Sequence, residues 1–490
     1  MSSMRRSWLS VVIVVGIAVV VIVNIGSAVL QTHHHDVIMQ PVLETILEES
    51  KQFRQRTDSS ANAEHQQSSS PDELPRQGQQ QQERQQQQQQ SFPLLPSDSF
   101  GACMMMKEDN ELLYEWIAYH FEMMPLRYLV IGSDEGSMQD PRDVLGLWNG
   151  TGLQYWVLPA SDFAGRHEPS TKEKEADPTW HHHQFLWRQR SFITTCAEFL
   201  QQRGVGWTMW TDSDEFLVLN RPTDQEEKVW APKLAAIVNN NNNNTSLDVT
   251  TDNSNSTESP TNTIDNATLR FAMRKALPDW DDKDHTVLGA IQKLQMNVPC
   301  ISMPRVRFGA LENLTCGDES EQVNDYARKR VDYAEMSTLR YKMHGGLSNF
   351  KANGFGKVLL DLSKVPQEVV ATITPRNVHR PYVDYCRRAV VPCDEAIFTL
   401  NHYTASWERY SSRLDERRSC EAWTKMAFYT AGNGCHQRIH QWFPRFVERF
   451  GVEKAQQLLG MHRPDNNDSS TNATADRPNR QPCPAHATAS

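Results

Sequence analysis

Trp207-Thr-Met-Trp-Thr-Asp-Ser-Asp-Glu-Phe216 is the stretch on which the reading of this chain turns. Residues 207–210 have the aromatic content of a buried strand. Asp212, Ser213, Asp214 and Glu215 follow with no basic residue among them, and 216–219 return to an apolar run. Carboxylates packed this closely repel one another, and a hard divalent cation relieves the repulsion. Carboxylate and water ligands suit Mg2+ or Mn2+. In open α/β sheets ligands gather at the carboxyl ends of strands, which is where this cluster falls. A solvated acidic turn is the bland reading of the same residues; the flanking runs and the elements upstream favour a site.

Upstream, residues 102–106 read as a first strand, and Asp109 or Asn110 can cap a helix. Leu112, Leu113, Trp116, Ile117 and Phe121 keep helical spacing up to Pro125. Residues 127–131 form a second strand. A short helix at 141–147, a strand at 154–158 and a polar loop to about 180 come next. A long helix over 183–203 carries Phe185, Leu186, Phe192, Ile193, Cys196, Phe199 and Leu200 on one face and stops at Gly204. Such alternation implies an α/β fold, a mostly parallel sheet with helices on both faces. No Gly-x-Gly-x-x-Gly follows the first strand, so a dinucleotide fingerprint is missing. Gly354-Phe-Gly-Lys357 lacks P-loop spacing, and His436-Gln-Arg-Ile-His440 lacks the Glu of a zincin helix.

The N-terminus bears on the compartment. Residues 8–30 are an almost unbroken apolar run without charge, long enough to cross a bilayer. Arg5 and Arg6 precede it, and no Lys or Arg follows until Lys51, so residues 1–7 are expected in the cytosol and the rest outside it. A cleaved signal peptide is the alternative, but the run is long for one. Residues 31–97 read as a Ser-, Gln- and Glu-rich stalk that cannot offset the entropy of ordering. The body is expected at 98–460, interrupted by an Asn-rich loop at about 239–266 and followed by a polar tail at 461–490. The net charge of −10, with no long basic run, argues against nucleic acid as the main partner. Eight Asn-x-Ser/Thr triplets and nine cysteines, all beyond the span, fit a lumenal glycoprotein with disulfides. Cys300/Cys316, Cys386/Cys393 and Cys420/Cys435 are the plausible local pairs, and Cys103 and Cys196 are expected as buried thiols.

Taken in order, several pieces resemble glycosyltransferase family 92. They are Cys103 with Lys107-Glu-Asp-Asn-Glu111, the Glu115-Trp116-Ile-Ala-Tyr119-His120 helix, Asp212-Ser-Asp214-Glu-Phe216, Arg307-Phe-Gly309, Lys357, His379 and His402-Tyr403. The likeness covers about 100–410; Lys107-Glu-Asp departs from the family's usual Lys-Asn-Glu. The resemblance implies a GT-A-like, Rossmann-type fold in a single-pass type II Golgi membrane protein. It implies an inverting, metal-dependent transfer of a hexose, usually from UDP-galactose, to a glycan acceptor. It also implies Asp214 and His402 as metal ligands, with Asp212 reaching the cation, ribose or sugar. Lys107, Asp134, Asp212, Glu215 and Lys357 become candidate nucleotide-sugar contacts, and Arg305 and Arg307 could offset phosphate charge. Single displacement needs a general base, for which Asp394 and Glu395 are the candidates. A catalytically inactive carbohydrate-binding or scaffold protein of the same fold, or a hydrolase of phosphodiesters, are the rival classes.

Overall fold

A computed structural model of the chain describes residues 100–176, 180–243, 266–279, 285–309, 336–346, 356–372, 375, 377–386, 391–393, 396–404, 407–412, 419–429, 434–435 and 438–461. The expected cytosolic tail, membrane span and stalk lie outside these residues. So do most of the Asn-rich insertion, the C-terminal tail, and Asp394 and Glu395. Among the described residues no helix is long and apolar enough to cross a membrane.

The chain divides into two units. Of the described residues the smaller holds 231–243 and 291–297: the latter part of a helix, Asp224–Asn243, and a turn closed by the Met296 N–H on the Ile291 carbonyl at 3.0 Å. That helix runs into the Asn tract that was expected to be loop from its first residue. Asn is a weak helix former rather than a breaker, so a helix already propagating can continue through it. The larger unit, 73–230, 264–290 and 298–490, carries both sheets.

Its strands are β1 (Phe100–Met106), β2 (Leu126–Ser133), β3 (Gln154–Pro159), β4 (Trp207–Trp210), β5 (Glu215–Leu219), β6 (Cys300–Met303), β7 (Arg305–Phe308), β8 (Met343–His344), β9 (Lys357–Asp361), β10 (Phe398–Tyr403) and β11 (Gly434–Cys435). The helices used below are α1 (Asn110–Met123), α2 (Trp180–Gln201), α3 (Ser337–Arg340), α4 (Cys420–Tyr429) and α5 (Trp442–Phe450). The first sheet has the order β3-β2-β1-β4-β9-β6. Its first four strands are parallel, β9 runs antiparallel to β4, and β6 antiparallel to β9.

The expected alternation of strands and helices is therefore present through β4. Cys103, Val130 and Trp210 meet Phe192, Ile193, Cys196 and Leu200 of α2 in one core. Ala102, Met104, Leu129, Ile131 and Met209, on the alternate positions, are buried as well. A sheet covered on both faces is what continuous apolar runs such as β1 require. Gly132 lets α2 approach closely: a Cβ there would stand 2.6 Å from the Phe192 ring. Gly204, at φ +73°, ends the turn after α2 as its position suggested.

A second sheet, β11-β8-β7-β10-β5, was not foreseen. Antiparallel to β5 and parallel to β7, β10 joins strands far apart in sequence. Its two faces differ. Phe216, Tyr403 and Phe308 form an aromatic layer, with ring centroids 5.5 Å and 4.7 Å apart along the series, and Phe216 stacks on His120 of α1 at 5.7 Å. The alternate positions Glu215, His402 and Arg307 are directly opposed across β5, β10 and β7, and so share the other face.

The cysteines correct the expectation. Cys103 and Cys196 are not thiols but a disulfide joining β1 to α2, and Cys300 pairs with Cys386 rather than with Cys316. Cys393 is a buried thiol, and Cys420 is also disulfide-bonded. Nearness in sequence was the wrong guide, because the sheet brings residues separated by 93 and 86 positions within 6.1 Å and 5.3 Å (Cα to Cα).

Candidate functional site

Between β4 and β5 the chain leaves one sheet for the other, and the acidic turn is that crossing. The Thr211 N–H bonds the Cys103 carbonyl at 3.2 Å, prolonging the β1–β4 ladder, and the Glu215 N–H closes the turn on the Asp212 carbonyl at 3.2 Å. The Glu215 carboxylate reaches back to accept the Asp212 N–H at 3.1 Å. Ser213 donates its hydroxyl to Asp109, at the start of α1, at 2.8 Å. The Tyr403 N–H donates to the Asp214 carbonyl at 3.0 Å. Thr211, Ser213 and Asp214 are thus anchored to β1, the start of α1 and β10, while Asp212 and Glu215 close on each other.

Lys357 sits beside this turn at the start of β9, because Leu359 is paired with Met209 on β4. Its side chain is wholly buried; its ammonium donates to Asp212 at 2.9 Å and lies 3.2 Å from Glu215. Partial burial opposes ionisation of Asp212, but the Lys357 ammonium outweighs it and lowers the carboxyl below its usual range. Glu215, fully buried, goes the other way. Loss of hydration pushes it up to about 7, against the pull of Lys357. Lys357 itself resists the desolvation that would lower it, and the two acids hold it above its ordinary value. Arg305 adds a second cation 3.7 Å from Glu215. His379 donates from Nδ1 to the Gly356 carbonyl at 2.7 Å, and burial, then the nearby Lys357, depress it to about 4.

Asp214 faces His402. The Oδ1 to Nε2 separation is 3.5 Å. Burial, then Arg305 and Arg307, depress the imidazole well below its ordinary value, so it is neutral at pH 7. A carboxylate and a neutral imidazole at this spacing are donors of the kind that suit Mn2+. Asp212, the third expected ligand, is turned to Lys357, and among the described residues no group of three His, Cys, Asp or Glu side chains is assembled for a metal. Two of the three expected metal ligands are therefore brought together.

Of the remaining candidates, Lys107 and Asp134 directly follow the carboxyl ends of β1 and β2, and Arg307 lies within β7. Lys107 is exposed after β1. The Asp134 N–H bonds the Met106 carbonyl at 2.9 Å, and its buried carboxylate takes a two-pronged bond from Arg188 of α2, at 2.7 Å and 3.2 Å. Arg307 leans on Met426 of α4 at 3.3 Å.

Helical spacing marks α1 in the sequence, but not what its Trp116, Tyr119 and His120 hold. Among the described residues no strand lies beside the outer edge of β5; α1 fills the place with side chains. Trp116 donates its indole N–H to the Glu215 carbonyl at 2.9 Å, and Tyr119 its hydroxyl to the Leu217 carbonyl at 2.6 Å. The Leu217 N–H donates to His120 Nε2 at 3.1 Å, while Nδ1 donates to the Trp116 carbonyl at 2.8 Å. Glu115 turns outward from this edge to accept the Ser337 and Thr338 N–H groups of α3 at 2.8 Å and 2.7 Å. Trp442 of α5 donates to the Thr338 hydroxyl at 2.9 Å. The legible signal was chemical: Trp, Tyr and His at i, i+3 and i+4 are aromatic groups with polar tips that need partners when buried.

Neither comparison, with protein-family models or with curated proteins, finds a match.

Proposed function

We propose that the chain is a cation-dependent glycosyltransferase of the family 92 kind, moving a hexose from a UDP-sugar, galactose in the first instance, to a glycan acceptor. One observation carries the reading: an acidic turn at the carboxyl end of a parallel strand, with Asp214 facing a neutral His402 and Lys357, Arg305 and Arg307 gathered round it. Carboxylate and imidazole would hold a divalent cation, Mn2+ or Mg2+; the bound cation would supply Lewis-acid stabilisation of a departing diphosphate. The strand order with its antiparallel β9 supports a GT-A-like arrangement. Lys357 fixes Asp212 at the donor side, and Arg305 and Arg307 supply positive charge along one face of the second sheet. Lys107 and Asp134 flank the nucleotide end. The general base is assigned to Asp394 or Glu395, outside the described residues. The Cys103–Cys196 and Cys300–Cys386 disulfides support an oxidising lumen, and the apolar run at 8–30 supports a single-pass membrane anchor; the Golgi placement follows from the resemblance.

A second reading, a carbohydrate-binding or scaffold protein without activity, is favoured by Asp134 and Asp212 each being paired with an internal cation. One experiment separates the two. The full chain is screened with UDP-sugars for a thermal shift, with and without Mn2+, beside Asp214→Ala. Stabilisation by one UDP-sugar that requires both Mn2+ and Asp214 is expected. A folded chain that no nucleotide sugar stabilises would leave the second reading standing.

A further inference from the structure

Among the described residues the outer edge of β5 is covered by α1 rather than by a strand. β5, only five residues long, follows the acidic turn directly. On one side β10 holds β5 by a regular ladder from Glu215 to Leu219. On the other side three backbone groups that a further strand would meet are held by three side chains of one helical turn, the Glu215 carbonyl also accepting the Thr211 hydroxyl at 3.4 Å. Trp116 takes the Glu215 carbonyl, His120 the Leu217 N–H and Tyr119 the Leu217 carbonyl. All three side chains are fully buried. A buried backbone group left without a partner is costly, so these contacts fix the register in which β5 can lie. Their reach extends into the turn, because the first carbonyl held belongs to Glu215, whose carboxylate accepts the Asp212 N–H.

We propose that Trp116, Tyr119 and His120 are positioning residues: a strand made of side chains that sets the backbone of Glu215 and, through it, the placing of Asp212 and Asp214. In its functional part the inference rests on the cation and nucleotide reading of the turn. In its structural part it stands without that reading.

The chemistry of each contact dictates the variants. Trp116→Phe removes the indole donor and keeps a ring. His120→Leu removes the acceptor for Leu217 N–H, whereas His120→Gln offers a side-chain oxygen where Nε2 stood. Hydrogen exchange of the full chain is followed over peptides covering 211–219 and, as a control, 100–106. Losing one buried bond is worth about a tenfold change. Exchange over 211–219 is expected to rise about tenfold in Trp116→Phe and His120→Leu and to stay within about threefold in His120→Gln, with 100–106 unchanged. Mn2+-dependent binding of UDP, measured on the same folded proteins, is expected to weaken about tenfold in the first two and to be kept in the third. Unchanged exchange over 211–219, an equal rise over both segments, or no rescue by Gln would overturn the proposal. Unaltered UDP binding by variants whose turn has loosened would overturn its functional part. A wild-type chain that binds no UDP would sink the transferase reading alone, since the exchange comparison still decides the role of the three side chains.

Discussion

Lys357 is the residue whose removal should be felt most sharply. Its ammonium lies against Asp212 and Glu215, and the Glu215 side chain has no exposure to water at all. Breaking a buried ion pair from one side leaves a charge without compensation. Lys357→Met is expected to cost about 3 kcal/mol in a denaturant titration at neutral pH, most of it through Glu215, because Asp212 is 48% exposed and water screens it. The cost should be larger at pH 8 than at pH 6, since Glu215 is pushed up to about 7 and is neutral below that. Adding Glu215→Gln should recover about half of the loss. The neighbouring Gly356 tests packing rather than charge. A Cβ there would stand 2.0 Å from the Met303 carbonyl, so Gly356→Ala should destabilise by about 2–4 kcal/mol in the same assay. Neither role could be read from sequence. Lys357 stood out as a candidate donor contact, but its partnership with Glu215 depends on β9 lying beside β4, and the two are far apart along the chain.

At the scale of elements, α1 and β5 make a pH-sensitive joint. His120 must be neutral to accept the Leu217 N–H at Nε2, and burial depresses it to about 3, the bond to the Trp116 carbonyl opposing. Its unfolded value is 6.5, so the contribution to stability is complete above pH 6.5 and is lost as pH falls toward 3. The loss reaches about 2 kcal/mol at pH 5. His285 and His379, both near 4, push the same way, and Glu215 pushes the other. Comparing urea midpoints of wild type and His120→Gln from pH 7 to pH 5 isolates the one group: the variant's curve should be flatter by about 2 kcal/mol. Elements up to β4 were legible because strand and helix runs alternate along the chain, with an apolar face on α1 and on α2 and Gly204 closing the turn after α2. The second sheet was not. Its strands are short, and β10 meets β5 and β7 only after the chain has passed through the first sheet again. Local periodicity carries no information about such pairings. In the candidate site Asp214 and His402 lie 3.5 Å apart, whereas Asp212 and Asp134 turn to cations that only the fold reveals.

The larger unit as a whole is tied by covalent links that cross it. The Cys103–Cys196 bond closes a separation of 93 residues between a central strand and its covering helix, and Cys300–Cys386 a separation of 86. Constraining the unfolded chain over such distances is worth about 4 kcal/mol per link in the chain-entropy account. Cys103→Ser combined with Cys196→Ser should lose about that much in guanidinium unfolding, and wild type treated with a reductant should lose more than the double variant does.

The order β3-β2-β1-β4-β9-β6 also has a consequence in time. A growing chain holds the residues of all four parallel strands, and both cysteines of the link between β1 and α2, by residue 210. The outer side of β4 then waits for its neighbour until residues 357–361 have been made. During that interval Trp207–Trp210 offers an apolar, unpaired border to whatever lies nearby. Birth of this molecule therefore has a vulnerable stage, which ends when the segment bearing Lys357 slides in beside the tryptophans and closes the border.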